Sequence, residues 1–294
     1  MSVSEVTTHS KSTADAMPAS FPALEPVLLE RFVLGELLGL GGYGEVYRAV
    51  DTELEREVAL KIFGLHVPSA YIRREAVALA RVAHRHMLSI HDLHVLEGRA
   101  FLVMELVLGG SLEERVAQAE DWREIVAWYA QVARGLGAMH DAGIAHGDVK
   151  PLNLLVHHEG HAVVADLGLV HGPKLRWRAP GSAGTTGYMA PERLNGALAS
   201  PLADQFSLSV CVWEALLGEQ PELGTGHLRL RRVHTLRRFE GIPRELEQAL
   251  RRGLSSDAAD RFSHIGELGD VLEAFASRPE PWHVRLFRTR RGRS

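Results

Sequence analysis

Cysteine occurs once, at Cys211, in a chain of 294 residues. That excludes a disulfide framework and any zinc site built on paired cysteines, and it suits a reducing compartment such as the cytoplasm. Neither sign of charge dominates. With 33 Lys and Arg against 37 Asp and Glu, the formal net charge is −4, so bulk electrostatic binding of nucleic acid is not expected. Long hydrophobic runs are also missing. The longest, about Leu208 to Leu217, is interrupted by Ser209, Trp213 and Glu214 and is too short and polar to span a bilayer. The first 30 residues hold Glu5 and Asp15 and no apolar core of signal-peptide length, so no targeting segment is expected. There are sixteen histidines, with His84, His86, His91 and His94 close together. They are not read as a specific metal site, because no HExxH helix and no cysteine pair accompanies them.

What is present is an ordinary globular composition, 46% hydrophobic and 24% charged, with enough chain to bury a core. Residues 1–29, rich in Ser, Thr, Ala and Pro, read as a disordered arm. From Arg31 the pattern becomes strand-like: Phe32 to Leu38, then Glu45 to Val50, then Glu57 to Phe63, the last two joined by the short charged turn Asp51 to Arg56. A helix is predicted from about Ala70 to Val82, followed by two strands before Gly109-Gly110. Beyond Ser111 the chain turns helical. Ser111 and Glu114 have capping-box spacing, and Asp121 to His140 is a long periodic helix. Short apolar strands surround Leu154-Leu155-Val156 and Ala162 to Ala165. The expectation is an α+β protein with a small β-rich lobe over about 30–108, a larger helical lobe over about 109–276 and an Arg-rich tail over 277–294.

Three clusters carry chemistry. Gly39-Leu40-Gly41-Gly42-Tyr43-Gly44 fits GxGxxG, and the strand that follows it argues for strand–loop–strand rather than a dinucleotide fold. Glycines there let backbone N–H groups approach phosphate oxygens. Lys61 lies in the apolar run Val58-Ala59-Leu60-Lys61 and needs a counter-charge or an exposed edge; Glu75 in the next helix is a candidate partner. The third cluster, His146-Gly147-Asp148-Val149-Lys150-Pro151-Leu152-Asn153, puts Asp, Lys and Asn at i, i+2 and i+5 before an apolar strand. Asp can accept a hydroxyl proton, Lys can neutralise phosphate, and Asn can offer a carbonyl oxygen to a metal. Asp166-Leu167-Gly168 then follows a strand end, a place that suits a divalent cation bridging phosphates.

Together with Ala190-Pro191-Glu192, these motifs occur in an order and spacing that resembles the eukaryotic-like protein kinase family, over roughly Arg31 to Phe275. Lys150, the segment Gly184 to Glu192, Ser200 to Phe206 and Ala259-Asp260-Arg261-Phe262 most resemble bacterial Hanks-type serine/threonine kinases. The resemblance implies a bilobal fold and a non-specific serine/threonine protein kinase that uses ATP and Mg²⁺ on protein substrates. It implies that Leu38, Gly39, Gly41 and Gly44 cover ATP. Val46, Ala59 and Leu155 enclose adenine, and Met104, Glu105 and Val107 form the hinge. Lys61, oriented by Glu75, holds the α/β phosphates. Asp148 accepts the hydroxyl proton, Lys150 stabilises the γ-phosphate, and Asn153 and Asp166 hold Mg²⁺. It further implies an apolar column of Leu79, Ile90, His146 and Leu167, a hydrogen bond from Thr185 near Asp148, a buried Glu192–Arg261 pair and a brace from Asp204.

Two alternatives stay open at this point: a pseudokinase acting as a scaffold, and a small-molecule kinase of related fold. Gly147 departs from the family, which usually has arginine before the catalytic Asp. That arginine clamps a phosphorylated activation loop, so control through loop phosphate is not expected here. The Arg-rich tail and the arginines between Arg229 and Arg238 read as solvated, or as a docking surface for an acidic partner or anionic membrane.

Overall fold

The computed structural model describes residues 30–165, 187–221, 239 and 241–278. The expected arm over 1–29, Asp166-Leu167-Gly168, Thr185, Arg229 to Arg238 and the tail beyond Arg278 lie outside the described residues.

Five antiparallel strands form the first layer: β1 (Phe32–Gly41), β2 (Gly44–Asp51), β3 (Arg56–Phe63), β4 (Ile90–Leu96) and β5 (Arg99–Met104), in the spatial order β1-β2-β3-β5-β4. Period-two alternation in β3 decides what faces what. Val58, Leu60 and Ile62 point to one face, where they join Phe32, Ala49, Phe101 and Val103 in a closed apolar cluster. Each buried Val, Leu, Ile or Phe there contributes about 1.5–3 kcal/mol. Ala59, Lys61 and Phe63 therefore face the other way, and Ala59 and Phe63 belong to the main core. Lys61 is thus a buried lysine and not an edge-strand one.

The glycine-rich segment is a tight hairpin. β1 continues through it as far as Gly41, which pairs with Gly44 across the two-residue turn Gly42-Tyr43. Helix α1 (Ser69–Leu79) ends before the predicted Val82. It buries Tyr71, Ile72, Glu75, Ala76 and Leu79 along one helical stripe, and that stripe packs against β4 and β5.

The second lobe is built on two helices. In α3 (Trp122–Asp141), Asp121 caps the N-terminus by accepting from Arg123 N at 3.0 Å. Its buried Ile125, Tyr129, Val132, Leu136 and Met139 recur at helical spacing. In α5 (Pro201–Leu217), Ser200 caps the start and most side chains are buried, including Cys211. Between and around them lie α2 (Leu112–Gln118), α4 (Pro191–Leu194), α6 (Arg244–Gly253) and α7 (Ile265–Ala276). The Ser111–Glu114 capping box at the start of α2 is fully formed. The hairpin of β6 (Leu154–Val156) and β7 (Ala162–Val164) lies against α3. It is stitched to the segment entering the sheet by Leu88 N donating to Val164 O at 3.0 Å and Val164 N to His86 O at 2.9 Å. No described helix is long and apolar enough to cross a membrane.

Candidate active site

Between the lobes lies a cleft of about 570 Å³. Its roof is the β1–β2 hairpin and β3, its back is the Met104–Leu108 connection, and its floor is the loop from Asp148 to Leu155. Leu38, Gly39, Gly41, Gly44, Val46, Ala59, Lys61, Met104, Glu105, Val107 and Leu155 all line it, as do Asp148, Lys150 and Asn153. Leu88, Ser111 and Glu114 also line it; sequence reasoning did not place them in the cleft, because Leu88 belongs to no motif and the Ser111–Glu114 pair reads as a helix cap alone.

The glycines are not equivalent. Gly44 has φ +151°, and a Cβ there would lie 2.0 Å from Ile62 O, so pairing of β2 with β3 requires glycine. A Cβ on Gly39 would meet nothing within 4 Å, and one on Gly41 only Gly44 O at 4.0 Å. The fold leaves these two positions free to be larger. Their glycines instead keep backbone open towards the cleft.

The floor is organised around Asp148. Lys150 Nζ lies 2.8 Å from Asp148 Oδ2, and Asn153 Nδ2 donates to Asp148 Oδ2 at 3.1 Å and to Asp148 O at 2.8 Å. The other carboxylate oxygen, Oδ1, accepts nothing from the described residues and is available to a hydroxyl. Asn153 is buried. Its amide nitrogen is committed to Asp148, so its carbonyl oxygen is the donor left over. A hard oxygen of this kind fits Mg²⁺.

A second carboxylate holds the loop from behind. Asp204 on α5 is fully buried; its Oδ2 accepts from His146 N at 2.7 Å and lies 2.9 Å from His140 Nε2, while Oδ1 accepts from Gly147 N at 2.8 Å. Burial alone would push this carboxyl up, but the hydrogen bonds and the neighbouring histidines hold it below the usual range. To present both amides to Asp204 the chain takes φ +77° at Gly147. A residue with a Cβ would be strained there by about 1–2 kcal/mol. Further out, Arg261 Nη1 and Nη2 donate to the two oxygens of Glu192 at 2.7 and 2.9 Å. Met189 and Ala190, leading into α4, share a small notch with Gly147 and Asp148.

Glu75 departs from the expectation. It is buried on α1 but does not line the cleft, and no ion pair or hydrogen bond joins it to Lys61. The Lys61 ammonium lies over the Phe63 ring, 5.5 Å from its centroid. Burial among Tyr71, Ile72 and Ala76 pushes the Glu75 carboxyl up to about 7, with Arg74 opposing. The physical reason is the seat of α1: its apolar stripe is satisfied against β4 and β5 with Glu75 held inside that stripe. Of the apolar column, Leu79 and His146 are buried and Ile90 is partly buried, and His146 Nε2 lies 3.2 Å from Ala165 O.

Comparison with known proteins is consistent across the chain. The family model for the protein kinase domain matches residues 32–267. Serine/threonine-protein kinase PknL of Mycobacterium tuberculosis is 32% identical over 279 residues, covering 86% of this chain and 68% of that protein. Serine/threonine-protein kinases PknD and PknE of the same species are 33% and 32% identical, covering 87% and 82% of this chain but only 40% and 45% of their own lengths.

Proposed function

The chain belongs to the protein kinase family and is a serine/threonine protein kinase, and on that premise we propose which of its residues carry the transfer. ATP enters the cleft with adenine between Val46, Ala59 and Leu155. The backbone of Glu105 and Val107 reads its edge beside Met104, with Leu38 closing over it. Gly39 and Gly41 cover the phosphates. The observation that carries this reading is that the fold itself demands glycine at neither position, while both face the cleft. Lys61 neutralises the α/β phosphates. In the described arrangement Glu75 does not orient it, so we place the Lys61–Glu75 pair in a second arrangement reached by an inward shift of α1.

Asp148 Oδ1 takes the proton of a substrate Ser or Thr hydroxyl as that oxygen bonds to the γ-phosphorus and the bond from the γ-phosphorus to the β–γ bridging oxygen breaks, releasing ADP. Lys150 and Asn153 fix Oδ2 and so aim Oδ1. Lys150 also meets the charge of the γ-phosphate. Asn153 Oδ1 and the Asp166 carboxylate would hold Mg²⁺, which when bound neutralises charge on the phosphate oxygens. Most of the acceleration is then positioning and charge neutralisation. Protein substrates pass over Met189 and Ala190 to reach Asp148. The single buried cysteine suits work in the cytoplasm.

The test uses the purified chain, γ-labelled ATP and Mg²⁺, with Asp148→Asn as the variant. Phosphoserine or phosphothreonine is expected from the wild type, and a loss of at least about 100-fold from the variant with nucleotide affinity retained. Near-wild-type transfer by Asp148→Asn, or phosphotyrosine as the main product, would overturn the assignment.

A further inference from the structure

The turn between β6 and β7 holds a cluster that phosphoryl transfer does not use. His157, Glu159 and His161 sit at i, i+2 and i+4, and their ligand atoms all lie within 4.8 Å of one another. The Glu159 carboxylate oxygen Oε2 lies 3.8 Å from His157 Nδ1 and 3.7 Å from His161 Nδ1. The two imidazoles are stacked, 4.6 Å between centroids. The turn is already built: His157 N donates to His161 O and Gly160 N to His157 O, both at 2.8 Å, with Gly160 at φ +87°. The three side chains need not be gathered from an open loop.

Two further observations point to a ligand rather than to a chance gathering of polar groups. His161 Nδ1 is buried and has no hydrogen-bond partner, so an acceptor or donor there is left unused. The tautomer of His157 is also set. Its Nδ1 accepts from Glu159 N at 3.3 Å, which puts the proton on Nε2, 3.2 Å from Glu105 Oε1. A carboxylate on the far nitrogen of an imidazole is the support that metal-ligating histidines ordinarily have. Two carboxylates meet the cluster, Glu159 at both Nδ1 atoms and Glu105 at His157 Nε2.

We propose that His157 Nδ1, Glu159 and His161 Nδ1 form a binding site for a transition-metal dication of the zinc class, separate from the Mg²⁺ positions of the active site. Two imidazoles and one carboxylate are the donor set of open three-ligand zinc sites, whereas Mg²⁺ favours oxygen alone. Ligand distances of about 2.0–2.2 Å require the donor atoms to be about 3.4 Å apart. The Glu159 oxygen, 3.8 and 3.7 Å from the two nitrogens, reaches that by rotation of its exposed side chain, and the two imidazoles must turn slightly to close the rest. Binding exchanges the long Glu159 N to His157 Nδ1 hydrogen bond for a metal–nitrogen bond and occupies His161 Nδ1, which makes no hydrogen bond.

The test titrates Zn²⁺ alone into the metal-stripped full chain by calorimetry, and Co²⁺ alone as a spectroscopic probe, with Glu159→Gln and His161→Ala as variants. One equivalent is expected in the wild type, with a visible four- or five-coordinate cobalt band. Each variant should weaken Zn²⁺ binding at least about tenfold and lose the band. Circular dichroism checks that the variants fold, and the exposed Glu159→Gln keeps the test valid if His161→Ala does not. A full equivalent bound with unchanged affinity in Glu159→Gln would place the metal elsewhere and overturn the proposal. So would absence of any Zn²⁺ binding by the wild type.

Discussion

Arg261 offers the sharpest test of how the second lobe is held together. Its side chain is fully buried, yet it carries a permanent charge. It donates four hydrogen bonds: two to Glu192 at 2.7 and 2.9 Å, and one each to the carbonyls of Leu202 and Ser255 at 2.9 Å. The guanidinium also lies over the Phe206 ring, 5.0 Å from its centroid. Arg261→Met keeps the stem and removes the charge. Breaking a buried pair costs about 3–5 kcal/mol. Glu192 keeps some access to water, which puts the ion-pair part near the lower figure, and the two abandoned carbonyls add about 1 kcal/mol each. A loss of about 5 kcal/mol translates to a fall of roughly 10–20 °C in Tm for a domain of this size. Thermal melts of the wild type, Arg261→Met, Glu192→Leu and the double variant measure it. The double variant should melt above Arg261→Met, because it leaves no orphaned carboxylate. The pH dependence is fixed in sign. Burial alone would push the Glu192 carboxyl up, but the hydrogen bonds and charge of Arg261 hold it below the usual range. Its contribution is therefore complete above the usual carboxylate range and fades as acid protonates the folded chain. An Arg261→Met variant melting within 2 °C of the wild type, taken as about the shift from 1 kcal/mol, would refute the reasoning.

Gly41→Ala should leave Tm within about 2 °C of the wild type but raise the KM for ATP. Gly44→Ala should lower Tm, because its Cβ cannot coexist with Ile62 O; equal melting of the two variants would contradict this. Glu75, pushed up to about 7, keeps a proton that the unfolded chain has already released, so stability should fall as pH rises from the usual carboxylate range to about 7. Denaturant titrations across that window should show the slope, and Glu75→Gln should flatten it. With Gly147 in place of a phosphate-clamping arginine, phosphatase treatment confirmed by mass spectrometry should leave the initial rate on an exogenous substrate within tenfold of the untreated rate, about 1.4 kcal/mol of barrier.

Much of this was legible in the sequence because it is local. The Ser111–Glu114 box is a matter of spacing within one turn, and the helix over Asp121 to His140 is a matter of period. Alternation in β3 alone puts Lys61 on the face opposite Val58, Leu60 and Ile62. The motif residues of the cleft floor, Asp148, Lys150 and Asn153, sit in one short loop and had little freedom to be apart. The seat of Glu75 was not legible, since it depends on how deeply α1 settles against β4 and β5, which no local pattern encodes. Nor was the His157, Glu159 and His161 cluster, which reads as a polar hairpin turn until Glu105, distant in sequence, is brought against His157.

The hold of Asp204 on the loop before Asp148 has a consequence for motion. The amides of His146 and Gly147 end on a buried carboxylate supplied by the helix at the centre of the lobe. Neither amide proton can exchange with solvent by a local opening of the loop, because that opening would leave a buried anion bare. Exchange at both positions must wait until α5 parts from its neighbours, so the catalytic loop and the helical core behave as a single cooperative unit. Their amides should exchange together, at the free energy of unfolding the whole lobe.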